Sequence, residues 1–335
     1  MTPRDHFGRP LRDLRLSVTD RCNFRCGYCM PETSLKGRNP FLSKKELLSD
    51  DELVRLVKVF SMLGVTKVRL TGGEPLLRPE FTSLVRRISG IPGIEDLSMT
   101  SNGVLLPRLA RELREAGLKR ITVSLDSLDG KVFARMSGGR GSAAATLAGI
   151  AAAEGAGYEN LKINCVVQRG VNDHTVMDLV QHFRGSGHIV RLIEFLDVGN
   201  SNEWHLGQVV PGHEWLKRIH DRWPLHPLQK NQPGETAQRY AFEDGSGEIG
   251  LINSITQPFC GNCSRARVTA DGMLYTCLFT DKGTALGPML RAHGDSHALE
   301  NLIRDRWASR DDRYSEIRHL QPGGASGQEM YRMGG

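Results

Sequence analysis

Between residues 14 and 196 six strand-like runs alternate with helical stretches, and five of the six runs alternate apolar with polar residues. This recurrence limits the fold more than any other feature of the chain. The runs fall at 14–19, 67–71, 95–100, 120–126, 160–168 and 189–196, and each reads as a strand. Helical stretches fall at 53–60, 80–89, 105–116, before about 156 and at 174–184, the first announced by Ser49 and the acidic run Asp50-Asp51-Glu52 and closed by Gly64. Strands alternating with helices imply a parallel α/β architecture with right-handed crossovers. Six units of about 30 residues fall short of the roughly 250 residues of a closed eight-fold barrel.

The alternation itself chooses between the two parallel architectures. Leu14, Leu16 and Val18 alternate with Arg15, Ser17 and Thr19, and Ile121, Val123 and Leu125 alternate with Thr122, Ser124 and Asp126. Strands of a doubly wound sheet are buried on both faces and read as apolar throughout. One apolar and one polar face instead fit a barrel whose helices cover the outside and whose lumen is polar. The expected fold is therefore α/β, an incomplete six-unit (βα)6 TIM-like barrel, with Arg15, Arg69, Lys162 and Arg191 turned inward as an anion site.

Composition narrows the setting. The chain has no apolar run of membrane-spanning length, and its first 13 residues are too charged for a secretory leader, so a cytoplasmic protein with no membrane partner is expected. The formal charge of +6 is spread along the chain, with no basic block interleaved with aromatics, which argues against a nucleic-acid partner. Seven cysteines in a reducing compartment point to metal or catalysis rather than disulfides.

Six of those cysteines form two triads. Cys22, Cys26 and Cys29 are spaced C-x3-C-x2-C directly after the first strand; Cys260, Cys263 and Cys277 form the second group. A four-iron cluster held by three thiolates keeps one iron open for chemistry, whereas structural zinc wants four protein ligands. Two 4Fe-4S clusters are the sharper reading; a zinc ion with water or histidine as fourth ligand stays open for the second triad. Cys165 sits in the apolar run of the fifth strand and reads as a buried small hydrophobe.

Composition turns polar and Gly/Pro-rich at 199–212 and 229–238, which divides the chain into 1–200 and a C-terminal α+β extension, 201–335. That extension should hold strands at 238–242 and 248–255, a hairpin turn at Asp271-Gly272 and a helix near 297–309. Gly72-Gly73-Glu74-Pro75 follows the second strand, where barrels place ligand loops, and paired glycines allow a close backbone approach. Gly139-Arg140-Gly141-Ser142-Ala143-Ala144 fits G-x-G-x-x-A only formally, because a helical run precedes it.

The C-x3-C-x2-C loop with Tyr28 before its third cysteine, together with the Gly-Gly-Glu-Pro segment, resembles the radical S-adenosylmethionine (SAM) superfamily. Residues 14–31, 65–78, 123–128, 191–200 and 257–279 resemble, within it, the GTP 3′,8-cyclases of molybdenum-cofactor biosynthesis. The resemblance implies that Cys22, Cys26 and Cys29 hold a cluster that binds SAM, with Tyr28, Gly73, Glu74, Ser124 and Leu196 as cofactor contacts. It implies that Cys260, Cys263 and Cys277 hold a second cluster, with an open iron for guanine. Arg15, Arg69, Thr100, Lys162, Arg191, Arg265 and Arg267 match substrate positions, and Arg15, Arg265, Arg267 and the terminal Gly334-Gly335 are the expected catalytic residues. Leu196 stands where the family often has methionine, and Ser264 and Ala266 where it often has asparagine and leucine.

The implied reaction is cleavage of SAM by an electron from the first cluster, hydrogen abstraction from C3′ of GTP, attack of that carbon on C8 and reduction to 3′,8-cyclo-7,8-dihydro-GTP. Implied partners are GTP, an external electron donor, a downstream cyclic pyranopterin monophosphate synthase and, at family level, a second copy in a homodimer. Competing readings are a peptide-modifying radical maturase, which would use more C-terminal cysteines, and a metal-stapled RNA-binding or RNA-modifying protein, which would show salt-sensitive RNA affinity.

Overall fold

A computed structural model of the chain describes residues 2–32, 41–199, 201–232, 234–292, 295–318 and 327–334. The strand-like runs form β1 (Asp13–Ser17), β2 (Lys67–Thr71), β3 (Asp96–Ser101), β4 (Arg120–Ser124), β5 (Lys162–Val167) and β6 (Ile189–Glu194), parallel and adjacent in chain order. Helices α1 (Asp50–Met62), α2 (Phe81–Ser89), α3 (Leu106–Glu115), α4 (Gly130–Met136), α5 (Ala143–Gly155) and α6 (Val176–Phe183) connect them. Ser49 caps α1 in a reciprocal capping box with Glu52, as the acidic start suggested.

The apolar faces of the strands do pack beneath the helices. Leu14, Leu16, Val68, Leu70, Leu97, Met99, Ile121, Val123, Ile163, Cys165, Val190 and Leu192 are all buried in one continuous core with the apolar stripes of α1, α2 and α3. Burial on that side frees the opposite side to be polar, and it faces the lumen.

The chain beyond residue 200 extends this sheet rather than standing apart from it. Strands β7 (Leu225–Leu228), β8 (Gln238–Phe242) and β9 (Glu248–Ile252) form an antiparallel unit, and β9 pairs in parallel with β6. At the other edge β10 (Arg265–Val268) pairs in parallel with β1, followed by antiparallel β11 (Met273–Tyr275) and β12 (Thr284–Ala285). Among the described residues the sheet thus carries eight parallel strands in the order β10-β1-β2-β3-β4-β5-β6-β9 and remains open, since β9 and β10 do not pair. The hairpin between β10 and β11 turns at Gly272, whose φ of 86° needs glycine.

Candidate active site

The register of the strands stacks the polar face into one cationic wall. Arg15 lies between Arg69 on β2 and Arg267 on β10, and Thr100 runs through Thr122 to Lys162. Arg191 on β6 stands beside Asn164 and donates to its Oδ1 at 3.0 Å. Arg69 donates to Thr100 at 3.2 Å and Thr122 at 3.0 Å, which holds its guanidinium across the lumen. All of these side chains except Thr122 line a single cavity of 390 Å³, together with Arg265, Tyr28, Gly73, Glu74, Ser124, Leu196 and all six triad cysteines.

The triads occupy opposite ends of this cavity. Cys22–Cys29 follows the C-terminal end of β1, whereas Cys260 and Cys263 precede β10 and Cys277 follows β11, which runs the other way. Between them the cations crowd one another. Burial, then Arg267, Arg69, Arg265 and Arg191, hold the Arg15 guanidinium well below its ordinary range. Burial and neighbouring arginines bring Arg69 and Arg267 down to about 10, Arg191 to about 9 and the Lys162 ammonium to about 8. An arginine keeps its proton in a protein, so these directions record repulsion that a polyanion bound in the lumen would relieve.

Three loops grip the first triad. The Cβ that an alanine would add at Gly72 falls 2.3 Å from the Thr19 carbonyl oxygen, and at Gly73 2.2 Å from that of Arg21. The Gly73 and Glu74 amides donate to those same oxygens at 2.8 Å. The glycine pair therefore fits backbone against the entry to the cysteine loop as well as facing the cavity. On the other side the Arg25 amide donates to Ser137 at 3.0 Å, and Phe24 packs edge-on against Phe133 at 5.9 Å and against Gly141. Gly139-Arg140-Gly141 joins α4 to α5, helix to helix, which excludes a dinucleotide turn.

Polar residues that sequence reading had not singled out complete the grip. Asn102 donates to Asn23 inside the loop at 2.7 Å, and its own amide donates to Glu74 at 2.8 Å. Glu74 also accepts from Ser101 and the Leu76 amide; burial lifts its carboxyl to about 7 despite these donors. Tyr28 donates from its hydroxyl to Asp126 at 2.9 Å, and burial raises that carboxyl to about 6. Asn102 and Asp126 each follow a barrel strand by one or two residues, the position at which barrels place function, and that was the available signal.

The donor sets suit iron–sulfur clusters. Burial first and then nearby negative charge raise Cys22 to about 11 and lift Cys26 and Cys29 further, the thiolates repelling one another. A buried set of this kind is stabilised as thiolates only by a metal group. Among the described residues no three Cys, His, Asp or Glu side chains stand close enough to grip a single ion. In the second triad burial opposes ionisation, but Arg265 and Arg310 outweigh it and bring Cys263 down to about 6; Cys277, beside Asp312, is pushed up to about 12.

The chain's end reaches the same place. Gly334, at φ 70°, sits against Thr71 at the end of β2, and Arg267 donates to its carbonyl at 2.8 Å. Gly335 lies outside the described residues. No described helix is long and apolar enough to cross a membrane.

An open parallel barrel with a three-cysteine loop at its C-terminal mouth defines a radical SAM protein, and the Radical SAM superfamily model matches residues 16–183. The Molybdenum Cofactor Synthesis C model matches residues 188–316. SuiB of Streptococcus suis, solved with S-adenosylmethionine, shares the fold at TM-score 0.60 and 14% identity, covering 88% of this chain and 68% of its own. Native anSMEcpe with bound AdoMet aligns at TM-score 0.57 and 17% identity over 94% and 91%. A GTP 3′,8-cyclase of Xanthomonas axonopodis pv. citri is 56% identical over 99% of this chain and 98% of its own. Those of Acidothermus cellulolyticus and Staphylococcus aureus are 48% and 42% identical over 96% and 95% of this chain and 90% and 94% of their own. The chain belongs to the GTP 3′,8-cyclase family. Membership brings with it a 4Fe-4S cluster and SAM.

Proposed function

We propose that this chain converts GTP to 3′,8-cyclo-7,8-dihydro-GTP, the first step of molybdenum-cofactor biosynthesis, with Cys22, Cys26 and Cys29 holding the SAM-binding cluster and Cys260, Cys263 and Cys277 a second one. The observation that carries it is the single cavity bounded by both triads and walled by cations between them. In this reading the nucleotide lies with its base toward the second triad and its sugar toward the first. Bound together, the first cluster and SAM supply a 5′-deoxyadenosyl radical, the reagent for hydrogen abstraction from C3′.

The protein's own task is then positioning and exclusion. Arg15, Arg69, Lys162 and Arg191 hold the triphosphate, and Thr100 fixes Arg69 in that pose. Restricting the sugar to one orientation decides which hydrogen is lost, and holding reacting groups in line lowers the barrier to that step. Arg265 and Arg267 stand on β10 between the second triad and the first, and the Gly334 carbonyl accepts from Arg267. Tyr28, Gly73, Glu74, Ser124 and Leu196 surround SAM. Residues 1–200 furnish the radical site and the cations for the triphosphate, and 201–335 the second triad with Arg265 and Arg267, even though one sheet joins them.

The family's reaction also calls for an external one-electron donor and a cyclic pyranopterin monophosphate synthase to take the product, and we propose both, with a second copy of this chain in a homodimer, as partners of a cytoplasmic enzyme with no nucleic-acid role. The test is anaerobic reconstitution with iron and sulfide, then reaction with SAM, reductant and single nucleotides. The proposal expects about eight irons per chain and a cyclised product from GTP; product from ATP alone would overturn it.

A further inference from the structure

Four charged side chains from opposite ends of the sequence meet behind the second triad. Asp5 and Arg9, before β1, are 6% and 3% exposed, and Arg310, near the other end, is 2% exposed. Asp5 Oδ2 accepts from Arg9 Nε at 2.5 Å and from Arg310 Nη1 at 3.3 Å, while Arg310 Nε pairs with Asp312 at 3.4 Å. Each arginine also holds the cysteine turn itself: Arg9 Nη1 donates to the Cys260 carbonyl at 2.8 Å and Arg310 Nη1 to the Cys263 carbonyl at 2.7 Å. Trp307 lies beneath the Arg310 guanidinium at 4.6 Å and ties its indole N–H to the Arg9 carbonyl at 3.0 Å. Asp312 further accepts from Thr276, the neighbour of Cys277.

Folding buries a chain of three ion pairs only where close geometry offsets the cost of desolvation, and here that geometry surrounds three thiols rather than a packed core. Of the four groups, Arg310 and Asp312 line the cavity with the triad, and Arg310 is the cation of the two. The Arg310 guanidinium is anchored on the Cys263 carbonyl at 2.7 Å. Hydrogen bonds to ligating sulfurs and the net charge nearby are two of the settings that fix a cluster's reduction potential.

We infer that Arg310 is a positioning residue of the second site: its fork fixes the Cys263 end of the turn, and its buried positive charge holds the triad's metal group at a higher reduction potential. This rests on the reading that Cys260, Cys263 and Cys277 carry a cluster. The Asp5–Arg9 segment is by the same geometry part of the second site, although no local pattern in the sequence marks it.

The experiment uses the full-length chain reconstituted anaerobically, with and without Cys22→Ser, Cys26→Ser and Cys29→Ser, so that the second cluster is read alone. Iron content and an EPR redox titration are measured for the parent, Arg310→Lys and Arg310→Gln. Arg310→Gln is expected to keep its iron while its midpoint falls, by at least a tenfold change in the reduced-to-oxidised ratio at fixed potential, about 59 mV for one electron. Arg310→Lys, which retains the charge without the fork, should lie between. Retained iron with an unchanged midpoint in Arg310→Gln overturns the inference, as does loss of iron from Arg310→Gln while Arg310→Lys keeps both iron and midpoint. Absence of iron from the otherwise unaltered first-triad variant overturns instead the second-cluster reading, so the two failures are distinct.

Discussion

Replacing Gly334 by alanine tests whether the chain's end is seated by shape. The residue lies at φ 70°, a conformation that costs an L side chain about 1–2 kcal/mol. Its new Cβ would fall 1.8 Å from Thr71 Oγ1 and 2.8 Å from Thr71 Cβ, and forcing a methyl into packed surroundings costs about 1–3 kcal/mol more. Together these amount to about 2–5 kcal/mol against docking, a shift of roughly 30-fold to several thousand-fold in the docked fraction. Undocking also strips Arg267 of its bonds to the Gly334 and Met333 carbonyls, leaving a buried guanidinium without them. The assay is kcat/KM for GTP alongside hydrogen exchange of the 327–334 backbone. Thr71→Ala removes the nearer of the two colliding atoms and should recover part of the loss, a coupling that a double-mutant cycle reads directly. Activity of Gly334→Ala within about twofold of the parent, or a loss that Thr71→Ala leaves untouched, would refute the reasoning.

Further expectations follow from the same geometry. Lys162 is charged below its lowered value of about 8 and neutral above it. GTP binding measured calorimetrically without SAM should therefore weaken as pH rises from about 7 to 9, by up to the tenfold or more of one charged hydrogen bond; Lys162→Arg should flatten that profile, and a slope that survives the substitution would count against the assignment. Gly73→Ala drives a Cβ into the Arg21 carbonyl and should lower iron retained by the first triad, with the second triad's iron as control. Asp126→Ala leaves the buried Tyr28 hydroxyl and the Val166 amide without their acceptor, a loss of about 1–3 kcal/mol readable as a lower melting temperature. An unchanged melting temperature would show that water replaces the carboxylate at no cost.

The parts of this fold that the sequence declares are those governed by local periodicity. Strand alternation has a period of two, so Arg15, Arg69 and Lys162 could be assigned to the lumen before any coordinates, and all three line it. The edges were not legible in the same way. Strands β9 and β10 join β6 and β1 across long stretches of chain, and no local pattern states which distant strand a segment will pair with. The expected strand at 248–255 accordingly ends at Ile252, where Asn253 turns into a loop whose amides at Ile255 and Thr256 are bound by the buried Glu194 carboxylate. The glycine pair 72–73 was readable as a site of close approach, but its partner, the backbone of Thr19 and Arg21, is a tertiary fact. Arg310 is the extreme case, since it meets Asp5 across nearly the whole chain.

The most direct test of the central claim is the product itself. Anaerobically reconstituted protein, given SAM, a low-potential reductant and GTP deuterated at C3′, should release 5′-deoxyadenosine carrying that deuterium, together with a nucleotide isomeric with GTP and joined from C3′ to C8. Deuterium-free 5′-deoxyadenosine, or turnover with ATP in place of GTP, would contradict the placement of the nucleotide between the two triads.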